Sequence, residues 1–147
     1  MRPKKMVLCV DTNPLRLSVR VFLLETRGFS VLRASSFQCA VDTLELYEPG
    51  QVYVLIVEMA AHAAIGAQTN ELIRRARLID PEISALSTRA SPGPCGDLTD
   101  AEVYLEQPSP AELVERVSIL ASRKRGPKKK PVAGVPAAAA YAARGVA

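Results

Sequence analysis

Residues 6–14 of this 147-residue chain read MVLCVDTNP, and this stretch decides the fold. An apolar run is followed at once by an acidic side chain, a hydroxyl, an amide and a proline. Such a run is typical of a strand that is covered on both faces, as in parallel sheets. Asn13 and Pro14 supply a capping side chain and a proline at the first position of a helix. The stretch therefore predicts a strand, a short loop and a helix.

The same alternation continues along the chain. Apolar runs rich in valine, leucine and isoleucine predict strands at residues 6–10, 30–34, 52–57, 83–87 and 103–106. Helical spacing of apolar residues predicts helices from Asn13 to Gly28, from Ser35 or Ser36 to Pro49-Gly50, over about residues 69–78, and from Ser109 onward. Strands that alternate with helices indicate right-handed crossovers and a parallel sheet.

The first helix is predicted to bury an apolar stripe made of Leu15, Val19, Phe22 and Leu23, with Arg16, Arg20 and Arg27 elsewhere on its surface.

A further helix is due between the fourth and fifth strands, but residues 90–97 contain two prolines and two glycines. Proline costs a helix interior about 3 kcal/mol and glycine about 1 kcal/mol. We therefore expect a loop there, with at most one helical turn near residues 97–101.

Composition excludes several classes of protein. No apolar run approaches the ~18 residues of a membrane span, and the short run after the basic start does not have the form of a secretory signal. Cys9, Cys39 and Cys95 are widely spaced, and His62 is the only histidine. A zinc site, a disulfide framework and a hydrolase with a serine–histidine or cysteine–histidine pair are therefore disfavoured. We expect a cytoplasmic protein that is not an enzyme.

Charge divides the chain into two parts. Residues 123–147 hold seven of the 19 basic residues and none of the 15 acidic ones, so the preceding part is mildly acidic. We predict a domain over residues 4–122 and a disordered, alanine- and proline-rich tail over residues 123–147. The tail's basic cluster could contact nucleic-acid phosphates or an acidic partner, and it could equally be a solubilising linker. This cluster consists of Arg123, Lys124, Arg125, Lys128, Lys129 and Lys130.

Polar side chains follow the predicted strands. Ligands of open parallel sheets bind beyond the carboxyl ends of the strands, where the strand order reverses. The residues at these ends are Asp11, Thr12 and Asn13 after the first strand, Glu58 after the third, Ser87 and Thr88 at the fourth, and Gln107 after the fifth. The topology alone therefore brings two carboxylates, several hydroxyls and an amide to one edge of the sheet.

Four segments carry a more specific resemblance. Residues 7–14 (VLCVDTNP), 28–36 (GFSVLRASS), 54–59 (VLIVEM) and 104–113 (YLEQPSPAEL) resemble the receiver domain of response regulators in order, spacing and flanks. The resemblance covers about residues 4–122. It implies a flavodoxin-like, doubly wound α/β fold with a five-stranded parallel sheet in the order 2-1-3-4-5. It also implies a role in two-component phosphorelay signalling, with a histidine kinase or another regulator as protein partner.

The phosphorylation pocket departs from the family pattern. That pattern has two acids after the first strand, a phosphoacceptor aspartate after the third, a serine or threonine after the fourth and a lysine after the fifth. Asp11 matches the first acid, but Thr12 replaces the second, Glu58 replaces the aspartate and Gln107 replaces the lysine. Ser87 matches the hydroxyl, with Thr88 as the alternative one residue later. A neutral hydroxyl is a poor ligand for Mg²⁺, and Glu58 moves the carboxylate by one methylene.

These departures predict a degenerate pseudo-receiver with no catalytic residues, no cofactor and weak or absent Mg²⁺ binding. We expect Glu58 to fill the space of a phosphoaspartate and to bond Ser87 and the Gln107 amide, or else to sit in a relaxed pocket. Tyr104 matches the aromatic switch position of the family. Two alternatives stay open, namely a weakly phosphorylatable receiver and an accessory regulator tethered to nucleic acid by its tail. Monomer and homodimer are both compatible with the sequence.

Overall fold

The computed structural model describes residues 4–59, 63–90 and 101–123. Five strands and four helices lie within these ranges. They are β1 (Met6–Val10), α1 (Pro14–Thr26), β2 (Ser30–Ala34), α2 (Phe37–Glu45), β3 (Val52–Glu58), α3 (Ala63–Ile79), β4 (Ser84–Arg89), β5 (Val103–Glu106) and α4 (Pro110–Ser122). None of the helices in this described part of the chain is both long and apolar enough to cross a membrane.

The five strands form one parallel sheet in the order β2-β1-β3-β4-β5. This order confirms the predicted topology. The strand order reverses between β1 and β3, so the carboxyl ends of these two strands flank the crevice in which such sheets bind ligands. β4 ends at Arg89, two residues later than predicted, so that Thr88 belongs to the strand and pairs with Glu58 of β3.

Helices cover both faces of the sheet and give it two apolar layers. On one face, α1 and α4 pack on side chains such as Val7 and Ile56. On the other face, α2 and α3 pack on side chains such as Leu8 and Leu55. Neighbouring residues of one strand therefore enter different layers, as the alternation of strand side chains requires. β1 and β3 are buried on both sides, which explains their unbroken apolar runs.

Helix α1 begins as predicted but turns a different face to the sheet. The Asn13 side chain accepts hydrogen bonds from the backbone of Leu15 and Arg16, and Pro14 is the first helical residue. The buried side chains are Leu17, Arg20, Val21 and Leu24. The predicted buried stripe is therefore wrong for Leu15, Val19 and Phe22, which are 74%, 56% and 70% exposed, while its fourth member, Leu23, is partly buried against the core.

The reason for this error is that α1 carries two apolar stripes. Leu17, Val21 and Leu24 have the same helical spacing as Leu15, Val19 and Phe22, on nearly the opposite side of the helix. The inner stripe packs on the sheet, and we call Leu15, Val19 and Phe22 the outer stripe.

The other helices agree with the sequence patterns in part. Ser36 and Ser109 cap α2 and α4, each accepting a hydrogen bond from a backbone N–H three residues later. α3 begins at Ala63, several residues before the predicted start. The loop predicted over residues 90–97 lies almost entirely outside the described residues, as does the tail after Arg123.

The orientation of α1 predicts unequal effects of two leucine substitutions on one helix. Leu17→Ala should lower the free energy of unfolding by about 2–5 kcal/mol, because it leaves a cavity in the core. Leu15→Ala should change it by less than about 0.5 kcal/mol, because the side chain is exposed and alanine favours a helix. Urea unfolding followed by circular dichroism measures both. Equal destabilisation by the two variants would contradict the orientation described here.

Candidate functional site

Two buried carboxylates lie at the carboxyl ends of the central strands. Asp11 directly follows β1 and is 1% exposed, and Glu58 is the last residue of β3 and is 8% exposed. Taking a carboxylate out of water is unfavourable unless it is paired and hydrogen-bonded. The partners of these two groups therefore decide what the site can do.

Asp11 is held by its own loop and by α1. Its Oδ1 accepts a hydrogen bond from the backbone N–H of Asn13 at 2.8 Å. Arg16 donates to both carboxylate oxygens, from Nε to Oδ2 at 2.6 Å and from Nη2 to Oδ1 at 2.9 Å. This two-pronged geometry is the strong form of an arginine–carboxylate pair. The hydrogen bond to Asp11 is also the largest cause that raises the pKa of Arg16 above its ordinary value.

Glu58 is bonded through both of its carboxylate oxygens. Oε1 accepts a hydrogen bond from the Thr88 hydroxyl at 2.7 Å and lies 2.9 Å from Nη1 of Arg20. Oε2 accepts a hydrogen bond from the backbone N–H of Ala90 at 2.7 Å. Arg20 also donates from Nη1 to the Thr88 hydroxyl at 2.8 Å. The carboxylate of β3 is thus tied to both the side chain and the backbone of β4.

The two pairs form one network. Nη1 of Arg20 lies 3.8 Å from Oδ2 of Asp11, and Nη2 of Arg16 lies 3.9 Å from Oε2 of Glu58. Two carboxylates and two guanidinium groups give a formal charge of zero. Most of this network is shielded from water, since three of its four charged side chains are less than one tenth exposed. We call Asp11, Arg16, Arg20, Glu58 and Thr88 the ion-pair network.

This arrangement does not fit the magnesium ion of the family pattern. Magnesium prefers carboxylate oxygen and water in an octahedral shell. The oxygens of Asp11 and Glu58 face guanidinium groups instead, and the two arginines already balance their charge. Within the described part of the chain, no three acidic, histidine or cysteine side chains are grouped so that they could hold a metal ion.

The structure changes the expected partners of Glu58. Ser87 is fully buried in β4, and the hydroxyl that meets Glu58 belongs to Thr88, the alternative one residue later. Because successive side chains of a strand point to opposite faces, only one of these two can face Glu58. The Gln107 amide lies 3.4 Å from the carbonyl oxygen of Ala90, and the backbone N–H of Ala90 bonds Glu58 where that amide was expected.

Other predicted site residues lie around the network. Thr12 is exposed in the loop after β1, and Gln107 is exposed after β5 with a φ of 46°, in the left-handed region. Tyr104 is half-buried beside Ser87 in β5, and its hydroxyl oxygen is shielded from solvent. Its role as a switch stays a prediction. Of the basic tail cluster only Arg123 belongs to the described residues, where it is exposed.

Sequence reasoning missed the two arginines of the network. The sequence pattern puts both away from the predicted buried face of α1, because it assigns Leu15, Val19 and Phe22 to that face. The signal that could have found them is the second apolar stripe. When Leu17, Val21 and Leu24 face the sheet, Arg20 lies on the same side of the helix and reaches the carboxyl ends of the strands.

Comparison with known proteins identifies the fold. The sequence matches no protein-family profile and no curated protein. Among solved structures, a response regulator from Thermotoga maritima matches with a TM-score of 0.67 and 24% identity, over 82% of this chain and 99% of that one. A response regulator receiver domain protein from Methanospirillum hungatei matches with a TM-score of 0.68 and 18% identity, over 81% and 94%. The receiver domain of the hybrid histidine kinase CckA matches with a TM-score of 0.62 and 22% identity, over 79% and 98%. The chain therefore has the fold of response-regulator receiver domains.

The network predicts strong coupling between Arg20 and Glu58. Arg20→Met should lower the free energy of unfolding by about 3–5 kcal/mol, because it leaves a buried carboxylate without its cation. Replacing both residues by methionine should cost less than the sum of the two single changes. Urea unfolding of the four proteins of this double-mutant cycle measures the coupling.

The pair formed by Arg77 and Glu102 serves as a matched control. Its side chains are 33% and 30% exposed, with a separation of 2.6 Å. Because exposed ion pairs contribute about 0–1 kcal/mol, Arg77→Met should have a small effect. Additive effects of the Arg20 and Glu58 substitutions would show that the network is not a unit.

Proposed function

We propose that this chain is an atypical receiver domain of two-component signalling that works as a protein-interaction module without being phosphorylated. The observation that carries the proposal is the ion-pair network, in which Glu58 takes the position of the phosphoacceptor and is already bonded through both oxygens. The receiver fold supports the signalling context. We expect the protein to act in the cytoplasm and to bind a histidine kinase or another regulator of its pathway.

The contacts of Glu58 disfavour its use as a nucleophile. Oε1 accepts from Thr88 and lies against Arg20, and the hydrogen bond from Ala90 holds Oε2 in place, so an attack by Oε2 would require the carboxylate to leave these contacts to line up with a phosphoryl group. Glutamate also carries the oxygen one methylene further than aspartate. A displacement of about 1 Å from the reactive geometry can reduce a rate by about 10²-fold.

The charges that assist phosphoryl transfer are also differently arranged. In the family pattern, a metal ion and a lysine after the fifth strand neutralise the transferring oxygens. Here the position after β5 is Gln107, which has no charge, and the cations Arg16 and Arg20 come from α1. Both cations are already paired with carboxylates. This supports a pocket that holds one state without covalent modification.

The outer stripe supplies a surface for a protein partner. Leu15, Val19 and Phe22 lie at helical spacing along α1 and are each more than half exposed. A helix that is apolar on two sides is typical of an element with packing partners on both sides. Exposed groups of large apolar side chains mark interaction sites. We therefore assign the interaction face to α1, next to the network that its arginines complete.

Intact-mass spectrometry tests the phosphorylation part of the proposal. After incubation with acetyl phosphate and Mg²⁺, the chain should keep its original mass, because the oxygens of Glu58 are engaged and the site does not fit the metal ion. A receiver domain with an aspartate at this position, treated in parallel, should gain the mass of one phosphoryl group. The same gain on this chain, mapped to Glu58 or Asp11, would support the weakly phosphorylatable receiver instead.

Partner binding tests the assigned face. With the full chain as bait, Phe22→Ser should reduce the recovery of a specific partner by about tenfold or more, as expected for a large apolar anchor at an interface. Leu46→Ser is the matched control, since Leu46 is 81% exposed at the end of α2 and outside the outer stripe. Quantitative mass spectrometry of the captured proteins measures both. Loss of the partner with the control, or its retention with Phe22→Ser, would contradict the assignment.

A further inference from the structure

A cavity lies between α1 and the segment that leads from β5 into α4. Its volume is about 270 Å³. Arg16, Arg20 and Leu23 of α1 form one side, and Gln107 and Leu113 contribute to the other. The volume is slightly below the range of about 300–1,000 Å³ that is typical of ligand pockets, so a compact molecule would fill it.

The wall of this cavity is cationic. Both arginines of the ion-pair network line it, but neither Asp11 nor Glu58 does. The side chains of these two acids are 0% and 3% exposed, so the guanidinium groups separate the carboxylates from the cavity. A molecule that enters the cavity therefore meets the cations before it meets the carboxylates that neutralise them.

Some N–H donors of the two arginines are not used in the ion-pair network. An arginine carries five N–H donors. In the described part of the chain, Arg16 uses Nε and Nη2 on Asp11, while its Nη1 has no partner. Arg20 uses Nη1 on Thr88 and Glu58, and its Nε and Nη2 have no protein acceptor there. Guanidinium N–H groups that are not used within the protein form strong, charge-assisted hydrogen bonds with oxyanions, so an anion supplying oxygen atoms at this place would be favoured.

The far side of the cavity adds two further features. The 13-residue helix α4 begins at Pro110 with Ser109 as its capping residue, and both residues line the cavity, so the positive end of the helix dipole faces it. Leu23 and Leu113 add apolar surface next to these polar groups. A ligand that matches both features has an oxyanion at one end and a small apolar group at the other.

We propose that this cavity is a binding site for a small organic oxyanion, a phosphate or carboxylate attached to a compact apolar group. The donors of Arg16 and Arg20 hold the oxyanion, and Leu23 and Leu113 contact the apolar group. The proposal goes beyond the signalling role proposed above and does not depend on it, because binding to the cavity can be measured on the chain alone; Val19 of the outer stripe also lines the cavity, so a bound partner would lie next to it.

Titration of the isotope-labelled full chain with phenyl phosphate tests this site by NMR. The backbone signals of Leu23, Ala90, Gln107 and Leu113 should shift in a saturable manner. Inorganic phosphate should bind about tenfold or more weakly, because it lacks the apolar group. Benzyl alcohol should also bind at least about tenfold more weakly, because it lacks the charge. Benzoate, compared with phenyl phosphate, identifies the preferred oxyanion.

Two glutamine substitutions provide a matched pair for the same titration. Gln107→Glu places a negative charge at the cavity and should weaken phenyl phosphate binding about tenfold. Gln68→Glu makes the same change at an exposed position of α3 and should leave the affinity unchanged. Both sites are exposed, so both variants should fold. Shifts outside the cavity, an affinity unaffected by Gln107→Glu, or benzyl alcohol binding as tightly as phenyl phosphate would each overturn the proposal.

Discussion

Two carboxylates are buried at the ends of adjacent parallel strands, and the need to neutralise them shapes the rest of this domain. Asp11 directly follows β1 and Glu58 ends β3, and both side chains are buried, so an unpaired negative charge would be strongly destabilising at either place. In the receiver pattern, metal ions and a lysine meet this requirement from outside the pair. Here Arg16 and Arg20 meet it from α1, in a permanent network with Thr88. The charges of the two acids are therefore balanced by side chains of the same domain.

The arginines also explain the orientation of α1. Because Arg20 must reach Glu58, its side of the helix has to face the strand ends, and Leu17, Val21 and Leu24 on that side pack on the sheet. The opposite side, with Leu15, Val19 and Phe22, is then turned to solvent. Neutralisation of the buried charge and exposure of an apolar face are thus two results of one helix rotation. Any change that frees Arg20 from Glu58 would alter the packing of the helix that carries the outer stripe.

The sequence predicts much of the fold and less of the site. The apolar runs predict five strands in a parallel sheet, and the caps at Asn13, Ser36 and Ser109 place the starts of three helices, because both signals are local. The rotation of α1 is not a local property. Two equally spaced stripes compete for the sheet, and the buried charge at Glu58, which is distant in sequence, is satisfied by only one of the two orientations.

The side chains that bond Glu58 are likewise not determined by a local pattern in the sequence. The sequence predicts Ser87 with Thr88 as the alternative, and the structure selects Thr88, because the end of β4 depends on its pairing with β3 and extends to Arg89. Position in a strand decides which face a side chain takes, so an error of one residue moves the candidate from Thr88 to Ser87. The acids Asp11 and Glu58 could be located by the topology alone, but the arginines that complete the site required the structure.

The carboxylate of Glu58 joins three elements of the domain. It bonds the Thr88 hydroxyl and the Ala90 backbone, so the ends of β3 and β4 are tied to each other through this side chain. The cation, however, comes from α1 and not from the segment after β5. Arg20 of α1 is the cation nearest to Glu58, so the helix that carries the exposed apolar face is bonded directly to the end of β3.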